Sequence, residues 1–415
     1  MIGERPPGPP GPPGSLGPPP EQAPVGVRAT EAPDQPGSRL ARVCLLIGQL
    51  GVGGTEKQLT LLAHGLRARG IDTTVLVMFE GGPREAALRA AGVPVIHLGF
   101  QRRSAGWRMP PANLAAFVRL LRHLRRTRPD VLHAFLFHSY VTAAPAARLA
   151  GVPILVAGRR SLADFKRGHP LLLAMERVAT RMTDQLVANA HAVADSARSA
   201  EGIRPGKIAI IHNGIPQSAF DPAPPATMRT ELPVVLCVAN LIHYKGHRYL
   251  FDAVSRLWAR GLRCTLALAG DGPERPALER QAARLGVDVR FLGIRTDIER
   301  LLARADVAVL PSLEEGMSNA VMEAMAAGCP IVATDVGGTR ELLAGRGVLI
   351  APADPEALAD GLARVLADPE LAGRLGRRAR AWSRDHLPVD AMVDRHVGIY
   401  GELLDRKHGR RACAG

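Results

Sequence analysis

The most constraining feature of the sequence is one strand–helix–strand unit in its second half. Val307–Leu310 is a short apolar run that Pro311 ends, because proline has no N–H to donate to a sheet. Asn319–Ala327 then has the composition of a helix, which Gly328 stops. Ile331–Thr334 is the next apolar run. This order of elements predicts a parallel sheet with the helix packed on one face.

The same alternation of short apolar runs and helical segments recurs along the chain from Arg42 onward. Prolines between positions 216 and 233 separate the runs into two groups. We therefore predict an α/β protein with two doubly wound, Rossmann-like domains that face each other across a cleft, with the ligand at the carboxyl ends of the strands. The predicted strands are 43–47, 73–78, 93–97, 131–134, 154–157, 185–188, 208–211, 234–238, 265–269, 289–292, 307–310, 331–334 and 348–350.

The helix after the loop at Pro311 can bind a phosphorylated ligand. The backbone N–H groups of Ser318, Asn319 and Ala320 lie at its N-terminus, where they have no partner within the helix and favour an anion. Glu323 follows Asn319 by one turn and lies on the same face. Its carboxylate can accept hydrogen bonds from a ribose diol beside a bound phosphate. The alternative is a buried unit whose glutamates are simply solvated.

Glu315 stands directly before Gly316 at the mouth of this loop, where it can hold a second hydroxyl-rich group. The whole stretch has the pattern P-S-x-x-E-G-x-x-N-A-x-x-E-A-M-A-A-G-x-P-I-V-A-T-x-x-G-G. This pattern closely resembles the donor-site signature of the retaining, GT-B-type glycosyltransferases of the large fourth family (glycosyl transferases group 1). The resemblance extends from Arg42 to about Leu404. It implies a nucleotide-diphosphate sugar as donor, retention of anomeric configuration and no catalytic metal.

The resemblance and the proline distribution together predict the domain organisation. Residues 1–38, rich in proline and glycine, are expected to form a disordered tail. An acceptor-side domain at 39–214 and a linker at 215–232 precede a nucleotide-sugar-binding domain at 233–386. Residues 387–415 are expected to form a helix that crosses back to the first domain, followed by a short tail.

Other strand-end loops supply candidate ligands for the donor diphosphate. Lys245, at a helix start after a strand, can neutralise a diphosphate leaving group, although a solvated lysine is the alternative. Members of the resembled family often carry an arginine earlier in this loop, where this chain has Asn240. Positive charge is then expected from Arg295, or from Arg159 or Arg160.

The glycine-rich loop after the first strand is a weaker signal. No Gly-Lys-Ser/Thr follows it, and Glu56 occupies the place of the last glycine of a dinucleotide fingerprint. The resemblance implies that this loop faces the donor diphosphate and the acceptor, so Gly53 and Gly54 are candidate donor-binding residues. Residues 270–273 and 337–338 match further loops of the family, and ordinary turn chemistry is the alternative for the first of them.

Two histidines, His133 and His138, complete the predicted catalytic set with Lys245 and Glu315. Relatives in the resembled family often have two histidines spaced by one residue here, and one reaches the reacting sugar. Phe135 occupies the second position in this chain, so the choice between the two histidines stays open, with a buried core histidine as the alternative for His133. Neither has metal-ligand spacing and no Asp-x-Asp motif appears, so no metal site is predicted.

The chain is basic, with a net charge of +14 over 415 residues. Such a charge is compatible with nucleic acid, an anionic membrane surface or a phosphorylated substrate. The cationic residues are spread out without an RNA-module signature, so we expect no nucleic-acid partner; salt-sensitive binding to random duplex would support that rival function. The five cysteines are scattered without C-x-x-C spacing, which predicts neither a zinc site nor disulfides and favours a reducing cytoplasm.

The sequence predicts peripheral contact with a membrane surface and no membrane-spanning segment. No apolar run reaches the ~18 residues that cross a bilayer, and the N-terminus lacks a signal-peptide core. The segment 113–128 is an amphipathic helix with arginines opposite its apolar face, and the loop 100–109 before it carries Trp107 among arginines. These segments either pack as an ordinary helix with a solvated basic face or touch an anionic bilayer.

We therefore predict a cytoplasmic, metal-independent hexosyltransferase-type enzyme that moves a sugar from a nucleotide-diphosphate donor to an acceptor hydroxyl with retention of configuration. It is expected to act in glycan, glycolipid or polysaccharide biosynthesis, on a sugar or lipid-linked acceptor, without a cofactor. Peripheral contact at the inner face of the plasma membrane is part of this prediction. The alternative is a sugar-nucleotide epimerase, which can share the architecture and turns over its donor without an acceptor.

Overall fold

The computed structural model describes residues 40–101, 111–162 and 169–412, with side chains described up to residue 409. The predicted tail at 1–38 lies outside these residues, as does Trp107 with most of its loop. Within the described ranges the chain alternates strands and helices. Each predicted strand is present, with ends that differ by at most two residues.

Seven parallel strands form the first sheet, in the order β3-β2-β1-β4-β5-β6-β7. These strands are β1 Arg42–Ile47, β2 Asp72–Val77, β3 Val95–His97, β4 Val131–Phe135, β5 Ile154–Arg159, β6 Gln185–Ala188 and β7 Ile208–Ile210. The helices between and after them are α1 Gly54–Ala68, α2 Arg84–Ala90, α3 Pro111–Thr127, α4 Phe137–Ala150, α5 Pro170–Met182 and α6 His191–Glu201. The strands are apolar on both faces because helices cover both sides of a parallel sheet.

Six parallel strands form the second sheet, in the order β10-β9-β8-β11-β12-β13. These strands are β8 Val234–Val238, β9 Thr265–Ala269, β10 Val289–Gly293, β11 Val307–Leu310, β12 Ile331–Thr334 and β13 Val348–Ile350. The associated helices are α7 His247–Ala259, α8 Arg275–Leu285, α9 Ile298–Arg304, α10 Asn319–Ala327, α11 Thr339–Leu343, α12 Pro355–Ala367 and α13 Pro369–His386. The prediction of two doubly wound α/β domains is confirmed.

The strand order places a switch point in each sheet. In the first sheet the chain reverses its direction of winding between β1 and β4, and in the second between β8 and β11. Loops that follow strands on the two sides of a switch point diverge and leave a crevice at the carboxyl edge, where ligands bind in such folds. The segments that carry Gly53, His138, Lys245 and Glu315 follow these four strands.

The last helix, α14 (Val389–Ala412), packs against the first sheet. The N–H of Ile215 donates to Leu387 O at 2.7 Å and the N–H of Val389 donates to Ile215 O at 2.9 Å, which joins the start of the helix to the end of the first domain. Val393 and Tyr400 are fully buried in the core beside α1. Among the described helices, none combines the length and apolar character needed to span a bilayer.

Candidate active site

Lys245 and Glu315 meet across the switch point of the second sheet. The ammonium of Lys245 lies 2.5 Å from Glu315 Oε1, which also accepts a hydrogen bond from Ser312 Oγ at 2.7 Å. The two side chains are only 17% and 8% exposed. Burial alone lowers the pKa of Lys245, but the adjacent carboxylate outweighs burial and raises the pKa above its usual value. The site therefore holds a charged lysine at the carboxyl end of β8.

Glycines allow the loops around this pair to approach closely. Gly246 adopts φ +70°, and a Cβ there would collide with the carbonyl of Pro311. A Cβ at Gly337 would collide with the carbonyl of Glu315, and the N–H of Gly338 donates to Gly316 O at 2.7 Å. The loop after β12 thus packs directly against the loop that carries Glu315 and fixes its backbone.

The first turn of α10 lies at the boundary between the two domains. Ser318 caps the helix through its Oγ, which accepts from the N–H of Val321 at 3.4 Å, and the next residues Asn319 and Ala320 begin the helix. The side chain of Asn319 donates to Gly54 O at 2.9 Å. Its carbonyl oxygen accepts from Asn213 at 2.9 Å. Asn319 is therefore an interdomain contact in addition to a candidate anion-binding N–H.

Glu323 forms an ion pair that sequence reasoning missed. Its Oε1 lies 2.5 Å from the ammonium of Lys57, in the first turn of α1 on the opposite domain. Both side chains are partly buried: 17% of the Glu323 side chain and 27% of the Lys57 side chain are exposed. The only local signal was a lysine directly after Glu56 at a helix start, and this signal does not identify a partner in the other domain.

The glycine-rich loop after β1 binds a second unpredicted cation, Arg84 of α2. Arg84 donates to Gly51 O at 3.1 Å. Burial lowers the pKa of Arg84, while the charges of Glu56 and Glu323 act in the opposite direction. A Cβ at Gly54 would approach Asn319 Nδ2 to 2.8 Å, so Gly54 is a packing contact at the cleft.

Gly53 also lies against a side chain in the structure. A Cβ there would collide with the carboxylate of the buried Glu56. Gly53 therefore packs within its own segment, whereas Gly54 brings the backbone close to the start of α10.

The arginines that were expected to supply the positive charge missing at Asn240 bind other residues. Asn240 is exposed in the loop after β8. Arg295 is exposed and binds Asp297 through two hydrogen bonds of 2.7 and 2.8 Å. Arg159 is buried and paired with carboxylates of its own domain, and Arg160 donates to Asn213 Oδ1 at 2.5 Å. The structure instead places Lys57 and Arg84 beside Glu323.

Arg160 is a buried cation at the domain boundary. Burial lowers its pKa to about 10, and its guanidinium lies 5.3 Å from the ring centre of Phe135. A Cβ at Gly316 would collide with the backbone carbonyl of Arg160. The glycine of the Glu315-Gly316 pair therefore lets the two domains touch at the edge of the cleft.

The two candidate histidines have different environments. His133 is fully buried in the sheet, where its Nδ1 lies 2.7 Å from Tyr400 Oη of α14 and its ring stacks on Phe135 at 4.1 Å. Burial lowers the pKa of His133 well below its usual value. This position gives it no access to a substrate in the cleft.

His138 is exposed in the first turn of α4. The residue before that helix, Leu136, has φ +68° and ψ 161°, a region that only glycine adopts without strain. Strain of this kind persists where surrounding structure fixes the backbone, and it is concentrated at functional sites. The His138 ring lies edge-on to Phe79 and Phe137, at 6.0 and 5.5 Å.

Two doubly wound α/β domains with parallel sheets form the GT-B glycosyltransferase architecture. The fold is similar to that of Anabaena HepE, solved with UDP and glucose, at a TM-score of 0.76 and 22% identity over 87% of this chain and 100% of that chain. Sucrose-phosphate synthase from Thermosynechococcus elongatus is similar at a TM-score of 0.72 and 20% identity, over 88% of this chain and 100% of that chain.

Residues 52–218 match the family model described as Glycosyltransferase Family 4, and residues 232–368 match the one described as Glycosyl transferases group 1. Glycogen synthase of Mycobacterium tuberculosis is 32% identical over 360 residues, which are 79% of this chain and 86% of that protein. The 2-deoxystreptamine glucosyltransferase of Streptomyces kanamyceticus is 27% identical over 85% of this chain and all of its own length. The chain therefore belongs to the glycosyltransferase family that these two models describe, and it is a glycosyltransferase. Nothing in these comparisons supports the epimerase alternative.

Proposed function

We propose that this glycosyltransferase moves a hexose from a nucleotide-diphosphate sugar to an acceptor hydroxyl, with retention of configuration and without a metal. The observation that carries the proposal is that each predicted donor-site carboxylate is held by a lysine: Glu315 by Lys245, and Glu323 by Lys57. Carboxylates accept hydrogen bonds from the hydroxyls of ribose and of the sugar, and lysines neutralise phosphates. The two pairs can therefore bind both the hydroxyl-bearing groups and the diphosphate of a nucleotide sugar.

In this proposal Glu323 accepts hydrogen bonds from the ribose diol, and the diphosphate lies at the first turn of α10. Ribose binding displaces Lys57 from Glu323 and leaves its ammonium beside the diphosphate, where Arg84 adds further positive charge. Lys245 neutralises the charge that develops on the leaving diphosphate. Such preorganised electrostatic stabilisation is worth about 2.7–4 kcal/mol for one donor.

The sugar itself is assigned to Glu315 and His138. Oε1 of Glu315 already accepts from Lys245 and Ser312, so Oε2 is the oxygen that accepts from a sugar hydroxyl. His138, exposed in the first turn of α4, is assigned to contact the reacting sugar or the acceptor. The donor phosphate takes the acceptor proton, so the proposal requires no protein base. The backbone at Gly53 and Gly54 borders the diphosphate, with Gly316 and Ser318 on the opposite side.

UDP is the first nucleotide to test, because HepE was solved with UDP and with UDP-glucose. Calorimetry with UDP, GDP, ADP and uridine separates the two tasks assigned to the site. Glu323→Ala is expected to weaken uridine by about 10-fold or more, because a hydrogen bond to a charged group is worth about 1.5–3 kcal/mol. UDP should be weakened less, because Lys57 is then free to bind the diphosphate. Lys57→Met should weaken UDP alone, since uridine has no phosphate.

The matched control is Glu356→Ala, which removes an exposed glutamate paired with arginines on the surface of the second domain. Its affinity for UDP should equal that of the unmodified protein. Wild-type affinity in both Glu323→Ala and Lys57→Met would reject the donor-site assignment. Retention is tested separately by proton NMR of the first product formed from an α-linked donor, where a β-linked product would contradict it.

The acceptor is proposed to come from a membrane surface on the cytoplasmic side. The structure buries Ala116, Leu120 and Leu124 of α3, whereas Leu114 is 58% exposed. With the exposed arginines of the same helix, Leu114 offers an apolar and cationic surface to an anionic bilayer.

A further inference from the structure

Three potential metal ligands from distant parts of the chain come together beside the donor loops. His191 begins α6, His212 follows β7, and Glu341 lies in α11. One ligand atom from each residue lies within 4.8 Å of the other two. The two histidines belong to the first sheet's domain and the glutamate to the second, so this cluster joins the two halves of the protein.

The cluster has unused hydrogen-bonding capacity. Glu341 Oε1 accepts from the N–H of Ala192 at 3.2 Å, which fixes the carboxylate. Its Oε2 lies 3.4 Å from His212 Nε2. Both of these atoms are buried, and neither has a hydrogen-bond partner of good geometry among the described residues. A buried pair of this kind calls for a third group between them.

We propose that His191, His212 and Glu341 bind a divalent transition-metal ion, with Zn²⁺ as the best match. Two histidines and a carboxylate are a ligand set that Zn²⁺ accepts, with water in the fourth position. Two ligands at about 2.0–2.1 Å from a tetrahedral Zn²⁺ lie about 3.3–3.4 Å apart. The 3.4 Å between His212 Nε2 and Glu341 Oε2 matches this spacing.

His191 completes the site by a small rotation. Its side chain is exposed, and its ligand nitrogen lies within 4.8 Å of the other two ligand atoms, so an inward movement of about 1.4 Å at most brings it to tetrahedral spacing. The fixed positions of Glu341 and His212 provide the rest of the geometry. Because His191 is exposed, a variant can remove this ligand without disturbing the protein core.

The ion would act on the contact between the domains rather than on the chemistry. A Cβ at Gly338 would approach the Ala190 side chain to 2.9 Å, so the backbone beside His191 already touches the loop that leads to Glu341. The same loop supports Glu315-Gly316 from below. A metal ion bridging His191 and Glu341 would therefore stabilise the closed arrangement of the domains around the donor site.

The test uses the full-length, tag-free protein, stripped with EDTA and dialysed, with ZnCl₂ as the probe in calorimetry and CoCl₂ in absorption spectroscopy. We expect one equivalent of Zn²⁺ to bind, a visible band typical of tetrahedral Co²⁺, and a rise of a few degrees in Tm. His191→Ala and Glu341→Gln should each weaken Zn²⁺ binding at least 10-fold. Gln keeps the hydrogen bond from Ala192, and His191 is exposed, so both variants should fold.

His169→Ala is the matched control, since this exposed histidine lies outside the cluster, and its Zn²⁺ affinity should equal that of the unmodified protein. Absence of stoichiometric binding overturns the proposal. So does binding that survives both His191→Ala and Glu341→Gln. A Glu341→Gln variant that loses stability equally with and without Zn²⁺ shows a simple His212–Glu341 ion pair instead. The proposal is independent of the donor assignment, because none of these readouts involves a nucleotide.

Discussion

Replacing Lys245 by methionine separates the catalytic from the structural role of the buried ion pair. The substitution keeps the length of the side chain and leaves the Glu315 carboxylate, only 8% exposed, without its cation. Removing one partner of a buried pair costs about 3–5 kcal/mol of unfolding free energy, because the remaining charge is uncompensated. We therefore expect Lys245→Met to lower the melting temperature clearly.

Turnover should fall as well, for a different reason. If Lys245 neutralises the leaving diphosphate, its loss removes about 2.7–4 kcal/mol of transition-state stabilisation, or 10²–10³-fold in turnover. Initial rates with a saturating nucleotide sugar, measured well below the melting temperature, give this number without interference from unfolding. Circular dichroism at the assay temperature checks that the variant is folded.

The double variant Lys245→Met/Glu315→Gln distinguishes the two effects. Glutamine is neutral and still accepts the hydrogen bond from Ser312 Oγ, so stability should recover while turnover stays low. Arg256→Met, which breaks an exposed pair with Glu356, is the control and should change either quantity little. Turnover of Lys245→Met within threefold of the unmodified protein, or recovery of turnover in the double variant, would refute the catalytic assignment.

Two further predictions concern acid stability and membrane contact. Burial lowers the pKa of His396 to about 3 and that of His247 to about 4. Histidines in the unfolded chain titrate near 6.5, so between that pH and the lowered folded-state pKa mainly the unfolded state takes up protons. The free energy of unfolding from urea melts should therefore be lower at pH 5 than at pH 7, by about 2 kcal/mol per histidine. His396→Leu should reduce this difference, and an unchanged pH slope would contradict the argument. In liposome sedimentation, Arg122→Glu/Arg126→Glu should weaken binding to anionic vesicles at low salt, since each arginine contributes about 1 kcal/mol; no binding by the unmodified protein would indicate a soluble acceptor.

The local part of the fold could be predicted because short-range signals determine it. The bounds of α10, Asn319–Ala327, follow from a capping serine and a stopping glycine, and both are visible in the sequence. Lys245 and Glu315 could be assigned to one site because each follows a strand at the switch point of one sheet. Parallel strands bring their carboxyl ends to the same edge, so sequence position is enough to place these loops together.

Contacts between the domains could not be predicted in this way. Lys57 and Glu323 are separated by 266 positions, and nothing in either segment specifies the angle at which the two sheets face each other. His133 is a core residue because Tyr400, 267 positions later, covers it on α14. The same limitation hid His191, His212 and Glu341, whose sequence spacing has no metal-binding pattern. For these residues the partner is supplied by the docking of one domain on the other.

The pairing of lysines with glutamates gives the site a specific electrostatic character. Glu315 fixes the ammonium of Lys245 at 2.5 Å, so the cation is already oriented when a diphosphate arrives and little reorganisation remains. Glu323 holds Lys57 across the domain boundary at the same distance. In the proposed function, ribose hydroxyls compete with that ammonium for the carboxylate. Under this proposal one pair keeps its geometry on donor binding, whereas the other must separate. It follows that the ribose end of the donor controls whether Lys57 is available to the diphosphate, so the nucleoside and the phosphate should bind cooperatively rather than as independent groups.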